Sequence, residues 1–205
     1  MLILFNTDGR NEKKVACKQA FFLLCTKQLN KPQMIDLLRT RRSIRKFTEQ
    51  PIEPEKLEIL KEAILRAPTS KNSNACEYIF IDAPELLQKL ALCKPHGAAS
   101  LQTAKLAIAV LVDESKTVAW IEDSSIAAFI GHLTAHSLGL GSCWIQIRGR
   151  EYSEEKTSEA YVCETLHIPE GFRVLSIVAI GYAQRSHEGK PLSDLNFGKI
   201  HSNRF

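Results

Sequence analysis

The sequence predicts an α+β fold in which a mostly antiparallel central sheet is flanked by helices, and three observations carry that prediction. Helical and strand patterns are mixed without the regular strand–helix–strand alternation of a doubly wound sheet. Residues 106–112 form an unbroken apolar run closed by Asp113, the pattern of a central strand. The chain has 205 residues, 44% of them apolar and 24% charged, which suits a single domain with a real core.

The elements follow in order. Ile35, Leu37 and Leu38 give a first helix, starting near Met34, an apolar face before a basic cluster. Pro54 opens a second helix with Leu57, Leu60 and Ile64 at three- to four-residue spacing, and Pro68 beyond its end forces an irregular turn. Residues 78–81 read as a short buried strand, and Pro84 begins a helix to about Leu92. Residues 120–138 are the longest helical stretch, crowded on one side by small and apolar residues and stopped by Gly139. Residues 143–147 form a strand. Ser153 is expected to cap a helix with Glu154 and Glu155 in its first turn, closed by Pro169 and Gly171. Residues 174–180 form the last strong strand, ended by Gly181, and residues 182–205 show little periodicity.

Composition excludes several classes. A net charge of +4 favours anionic ligands such as phosphates but is too small for a nucleic-acid protein, and the basic run 39–46 lacks interleaved aromatics. Six cysteines (Cys17, Cys25, Cys76, Cys93, Cys143, Cys163) show no C-x-x-C spacing, so no zinc or iron–sulfur set can be read, and a reduced, cytoplasmic protein is expected. No apolar run approaches the roughly 20 residues needed to span a bilayer. The apolar run 20–25 after Lys13, Lys14 and Lys18 is too short for a signal peptide and lacks a cleavage site, so neither export nor membrane insertion is expected. His132 and His136 stand four apart, a metal-pair spacing, but no acidic third ligand accompanies them, which favours satisfied or interface histidines.

Three segments carry the functional signal. Residues 41–47 read Arg-Arg-Ser-Ile-Arg-Lys-Phe, a dense set of donors suited to an anion. Residues 67–74 read Ala-Pro-Thr-Ser-Lys-Asn-Ser-Asn, a polar turn after a helix. Residues 139–146 read Gly-Leu-Gly-Ser-Cys-Trp-Ile-Gln, joining the long helix to a strand. Singly, each has an ordinary explanation: a solvated basic face, a helix-ending loop, a glycine C-cap before a core strand.

In this order the segments resemble the nitroreductase family of flavin mononucleotide (FMN) enzymes, over about residues 34–205, with 1–33 left as an extension or a misassigned start. The resemblance implies that Arg41, Arg42, Ser43 and Arg45 hold the FMN phosphate, ribityl chain and ring carbonyls. It implies that Pro68, Thr69, Ser70 and Asn72 contact FMN across a dimer interface. Backbone groups of Trp144, Gln146 and Ile147 would line the flavin ring, and Lys199 or Arg204, in a tail similar to the family's closing motif, would complete the phosphate site. Asn74, Ala75 and Cys76 depart from the family's usual Gln-Pro-Trp. The expected protein is a homodimeric FMN oxidoreductase. It would pass electrons from NAD(P)H by a ping-pong mechanism to a small electron-poor acceptor such as a nitroaromatic or quinone, with the 120–138 helix in the dimer core. A dehalogenating, dehydrogenating or flavin-consuming relative, or a non-catalytic flavin-binding protein, is the alternative.

Overall fold

Strand β2 (Leu106–Asp113) is buried along nearly its whole length because both faces of the sheet are covered. The computed structural model describes residues 33–205, so Cys17, Cys25 and the apolar run 20–25 lie outside the described residues. The described residues 33–36 belong to one unit and residues 37–205 to another. The elements are α1 (Met34–Thr40), α2 (Pro54–Leu65), β1 (Cys76–Ile81), α3 (Pro84–Leu90), β2, α4 (Trp120–Ser137), β3 (Gly141–Gln146), α5 (Ser158–Leu166) and β4 (Phe172–Gly181). The strands run in the order β1-β2-β4-β3 with every neighbour antiparallel, which agrees with the mostly antiparallel sheet expected from the sequence.

Alternation along β2 sorts its side chains into two cores. Ala107, Ala109 and Leu111 face α3 and α5 with Ile177, Ala179 and Ile145, while Leu106, Ile108 and Val110 face α2 and α4 with Val178 and Ile180. Small residues at 127, 128, 131 and 135 bring α4 close to the sheet and to α2. A methyl group on Gly131 would meet Ile64 Cδ1 at 3.4 Å. The small face of α4 is therefore used within the subunit, and Ile126 and Phe129 remain exposed on its other side.

The helix expected from Ser153 starts later. Residues 151–157 close a small loop in which Tyr152 and Ser153 N–H both donate to Lys156 O, and Thr157 is the cap, accepting Ala160 N–H at 3.1 Å. Both stretches carry a hydroxyl followed by acidic charge, Glu154 and Glu155 after Ser153 and Glu159 after Thr157. The choice falls on Thr157 because Glu159 then reaches β4, where it takes a two-point contact from Arg173 and the Val174 N–H. Among the described residues no helix is long and apolar enough to cross a membrane, and no group of three or more His, Cys, Asp or Glu side chains is placed to hold a metal.

Candidate functional site

The basic segment is stapled across one end of the sheet. Ile44 N–H donates to Ser142 O (2.8 Å), Thr48 N–H to Tyr182 O (2.8 Å) and Gln184 N–H to Lys46 O (3.0 Å). Ile44 and Phe47 are buried anchors, which turns Arg42, Arg45 and Lys46 outward. Two glycines allow the crossing: a Cβ on Gly141 would lie 2.8 Å from Ile44 Cβ, and one on Gly181 would lie 2.9 Å from Phe47 Cβ. Among the described residues none of Arg41, Arg42 and Arg45 pairs with a carboxylate, so three guanidinium groups stand ready for an external anion.

Arg41 is half-buried and aimed by a buried histidine. Its Nη1 donates to His132 Nε2 at 2.8 Å, and His132 Nδ1 lies 2.5 Å from Ser142 Oγ, whose hydroxyl donates to His132 O. Guanidinium only donates, so the ring is neutral with its proton on Nδ1. Burial, with Arg41 and His136 adding to it, pushes the His132 pKa down to about 4. His136 Nε2 hydrogen-bonds Thr40 Oγ1 at 2.8 Å. Both histidines are thus satisfied within the subunit.

Beside this segment runs a groove. Two adjoining cavities of about 520 and 250 Å³ share Gly97, Ala99 and Gln102; one reaches Arg45 and Thr103, the other Lys94 and Tyr152. Lys94 Nζ donates to Gln146 O at 2.8 Å, and burial lowers its pKa. Ser142 and Gln146 thus both accept from outside the open edge of β3, and strand alternation turns the backbone of Trp144, midway between them, the same way. Ile147 points inward: its N–H donates to Leu175 O, its carbonyl accepts Arg150 N–H, and it is fully buried, leaving no backbone donor for a ligand. The Trp144 indole N–H donates to Gln146 Oε1 at 3.0 Å.

The polar turn lies elsewhere. Ser43 bridges Ser142, which stands opposite Ile180, itself opposite Leu106 at the start of β2. The turn instead leads into Cys76, opposite Val112 at the far end of β2. Six residues of strand, about 20 Å, separate the two ends. Pro68, Thr69, Ser70 and Asn72 are therefore not brought to the arginine segment of their own chain. Lys199 and Arg204 sit on the exposed tail. Among the described residues neither side chain makes a hydrogen bond or ion pair.

A family model described as the nitroreductase family matches residues 38–105 and 94–182. The chain belongs to the nitroreductase family. An FMN-dependent nitroreductase from Clostridium difficile R20291 superimposes with a TM-score of 0.82 and 42% identity, over 84% of this chain and all of that one. An NADPH:FMN oxidoreductase from Vibrio harveyi, solved with NAD+, gives a TM-score of 0.70 and 27% identity, over 83% of this chain and 77% of that one. A provisionally named NADH dehydrogenase/NAD(P)H nitroreductase from Methanothermobacter thermautotrophicus is 29% identical over 170 residues, 82% of this chain and 86% of its own.

In this nitroreductase-family chain the fold brings the arginine segment against the β3 edge at Ser142, with Arg45 lining one cavity of the groove and Lys94, bonded to Gln146 O, lining the other. Sequence reasoning missed Lys94, a lone lysine in a loop with no motif around it. It also missed Asp123, whose buried carboxylate holds the polar turn: its signal was faint, an acid early in a long helix, where dipole complementarity is explanation enough.

Proposed function

We propose that this protein is an FMN-dependent oxidoreductase that takes electrons from NAD(P)H and passes them, by a ping-pong mechanism, to an electron-poor small molecule such as a nitroaromatic or a quinone. The observation that carries the reading is the set of three guanidinium groups, none paired with a carboxylate among the described residues, on one segment stapled to the edge strand β3 at Ser142 and bordering a groove that Arg45 lines. That donor set fits FMN: guanidinium forks suit a phosphate, and edge amides and a lysine suit ring carbonyls. FMN, when bound, supplies the two-electron chemistry.

The chain's own residues do the rest. Arg41, locked by His132, supplies a fixed cation whose direction does not depend on solvent, and Arg42 and Arg45 add charge beside it. Cations beside a flavin favour its reduced, anionic form, which is the protein's electrostatic lever. Trp144 and Gln146 offer edge backbone groups to the ring, and Lys94 holds the Gln146 carbonyl in place. No side chain is assigned an acid–base role.

We further propose a homodimer with FMN at each subunit interface and an FMN-binding domain over residues 34–205. The support is the separation of the two motifs: a ligand that needs both the arginine segment and the Pro68–Asn72 turn meets them only by taking one from each of two copies. Exposed Ile126, Phe129, Leu192, Phe197 and Ile200 offer apolar surface for such a contact. The test is anaerobic: purified protein is expected to carry a bound flavin that bleaches on adding NADH or NADPH and recovers with a nitroaromatic or quinone. A colourless protein that takes up no FMN would overturn the reading, and a flavin that no nicotinamide reduces would leave a binding protein without turnover.

A further inference from the structure

Asp123 sits in the first turn of α4 and is 3% exposed. Its Oδ1 accepts the Ser70 backbone N–H at 2.8 Å, and its Oδ2 accepts the hydroxyls of Thr117 at 3.2 Å and Ser73 at 3.4 Å. Among the described residues no lysine or arginine pairs with it. A buried carboxylate is tolerated only when its oxygens are satisfied, so these neutral donors stabilise the charge, and the charge in turn fixes the donors. One side chain, rooted in the most buried helix of the fold, thus ties down both the polar turn and the loop entering α4.

The turn it holds needs holding. Lys71, Asn72 and Asn74 all adopt left-handed backbone angles, with φ of 51°, 55° and 47°. Non-glycine residues take that region at a cost, asparagine least, and keep it only where surrounding contacts impose it. Asn74 is where the chain departs from the family's usual glutamine, and the departure has a use. Asn74 N–H donates to Thr69 Oγ1, and Asn74 Nδ2 donates to Asn72 O at 3.1 Å. The turn is therefore braced from within by Asn74 and from beneath by Asp123.

We infer that Asp123 is the positioning residue of the second flavin motif: it sets the conformation of Ser70–Asn74 through the Ser70 amide, so that Asn72 is presented to FMN without touching Asp123 itself. This rests on the proposed FMN site. The experiment compares wild type, Asp123→Asn, Asp123→Ala and a control, Val162→Ala, a buried α5 residue on the opposite face of the sheet. FMN affinity is read by flavin titration and the environment of bound FMN by visible circular dichroism. Asp123→Ala should weaken FMN at least tenfold and alter the visible spectrum. Asp123→Asn, which keeps an acceptor for Ser70, should fall between it and wild type. Val162→Ala should lower the melting temperature but leave affinity and spectrum alone. Wild-type affinity and spectrum in both Asp123 variants would overturn the inference. Should Asp123→Ala not fold, the Ser73→Ala/Thr117→Val double variant replaces it, with at least a threefold loss predicted and no change counting against. Failure of wild type to take FMN is a separate outcome, which removes the site reading and not merely this residue's part in it.

Discussion

Nη1 of Arg41 lies 2.8 Å from Nε2 of His132, so the ring is kept neutral by the cation it orients. A pH dependence follows. Burial, Arg41 and His136 depress the His132 pKa to about 4 from its ordinary 6.5, so between those values the unfolded chain takes up a proton that the folded chain refuses. Stability is therefore full above pH 6.5 and falls as the pH drops toward 4. Lowering the pH from 7.5 to 5 should cost about 2 kcal/mol through this group alone. Urea unfolding at the two pH values checks it: His132→Gln, which does not titrate, should lose correspondingly less than wild type.

Arg41 is the most constrained of the three arginines, and its charge-assisted bonds to a phosphate or ring carbonyl are worth about 1.5–3 kcal/mol each. Arg41→Ala should weaken FMN by roughly 10- to 150-fold. Arg42→Ala and Arg45→Ala, at exposed positions, should cost less. Flavin titration of the apoproteins measures all three, and unchanged affinity throughout would remove the segment from the site.

Gly141 and Gly181 are where the arginine segment touches the sheet. A Cβ at Gly141 would overlap Ile44, and one at Gly181 would overlap Phe47. Each glycine-to-alanine variant should lose about 1–3 kcal/mol of stability from overpacking. Each should also lose FMN affinity, because the guanidinium groups shift with their backbone. Denaturant melts combined with flavin titration test both effects.

Much of this was legible from local signals. Pro54, Pro84 and Gly139 mark helix ends that the structure keeps, and the apolar run 106–112 is indeed a strand covered on both faces. Local signals failed where two candidates compete, as with Ser153 and Thr157, because the Glu159–Arg173 contact that decides between them is long-range. They failed again at Lys94 and Asp123, whose roles come from partners far away in sequence: Gln146 for one, Ser70 and Ser73 for the other. Ile147 shows the limit of reading a strand end by residue type. Its place in the motif suggests a flavin contact, while the alternation of the strand turns its amide into the sheet.

Complementation tests most directly whether one FMN site takes its arginines from one copy and its polar turn from another. Arg41→Ala in one chain is paired with Asn72→Gly in the other; glycine keeps the left-handed backbone at position 72 while removing the amide. Each variant alone should bind FMN weakly. Tagged, purified mixed dimers should contain one site with both defects and one with none, and so bind a single FMN per dimer at wild-type affinity. Mixed dimers in which no site recovers wild-type affinity would place both motifs in the same subunit's site and contradict the account.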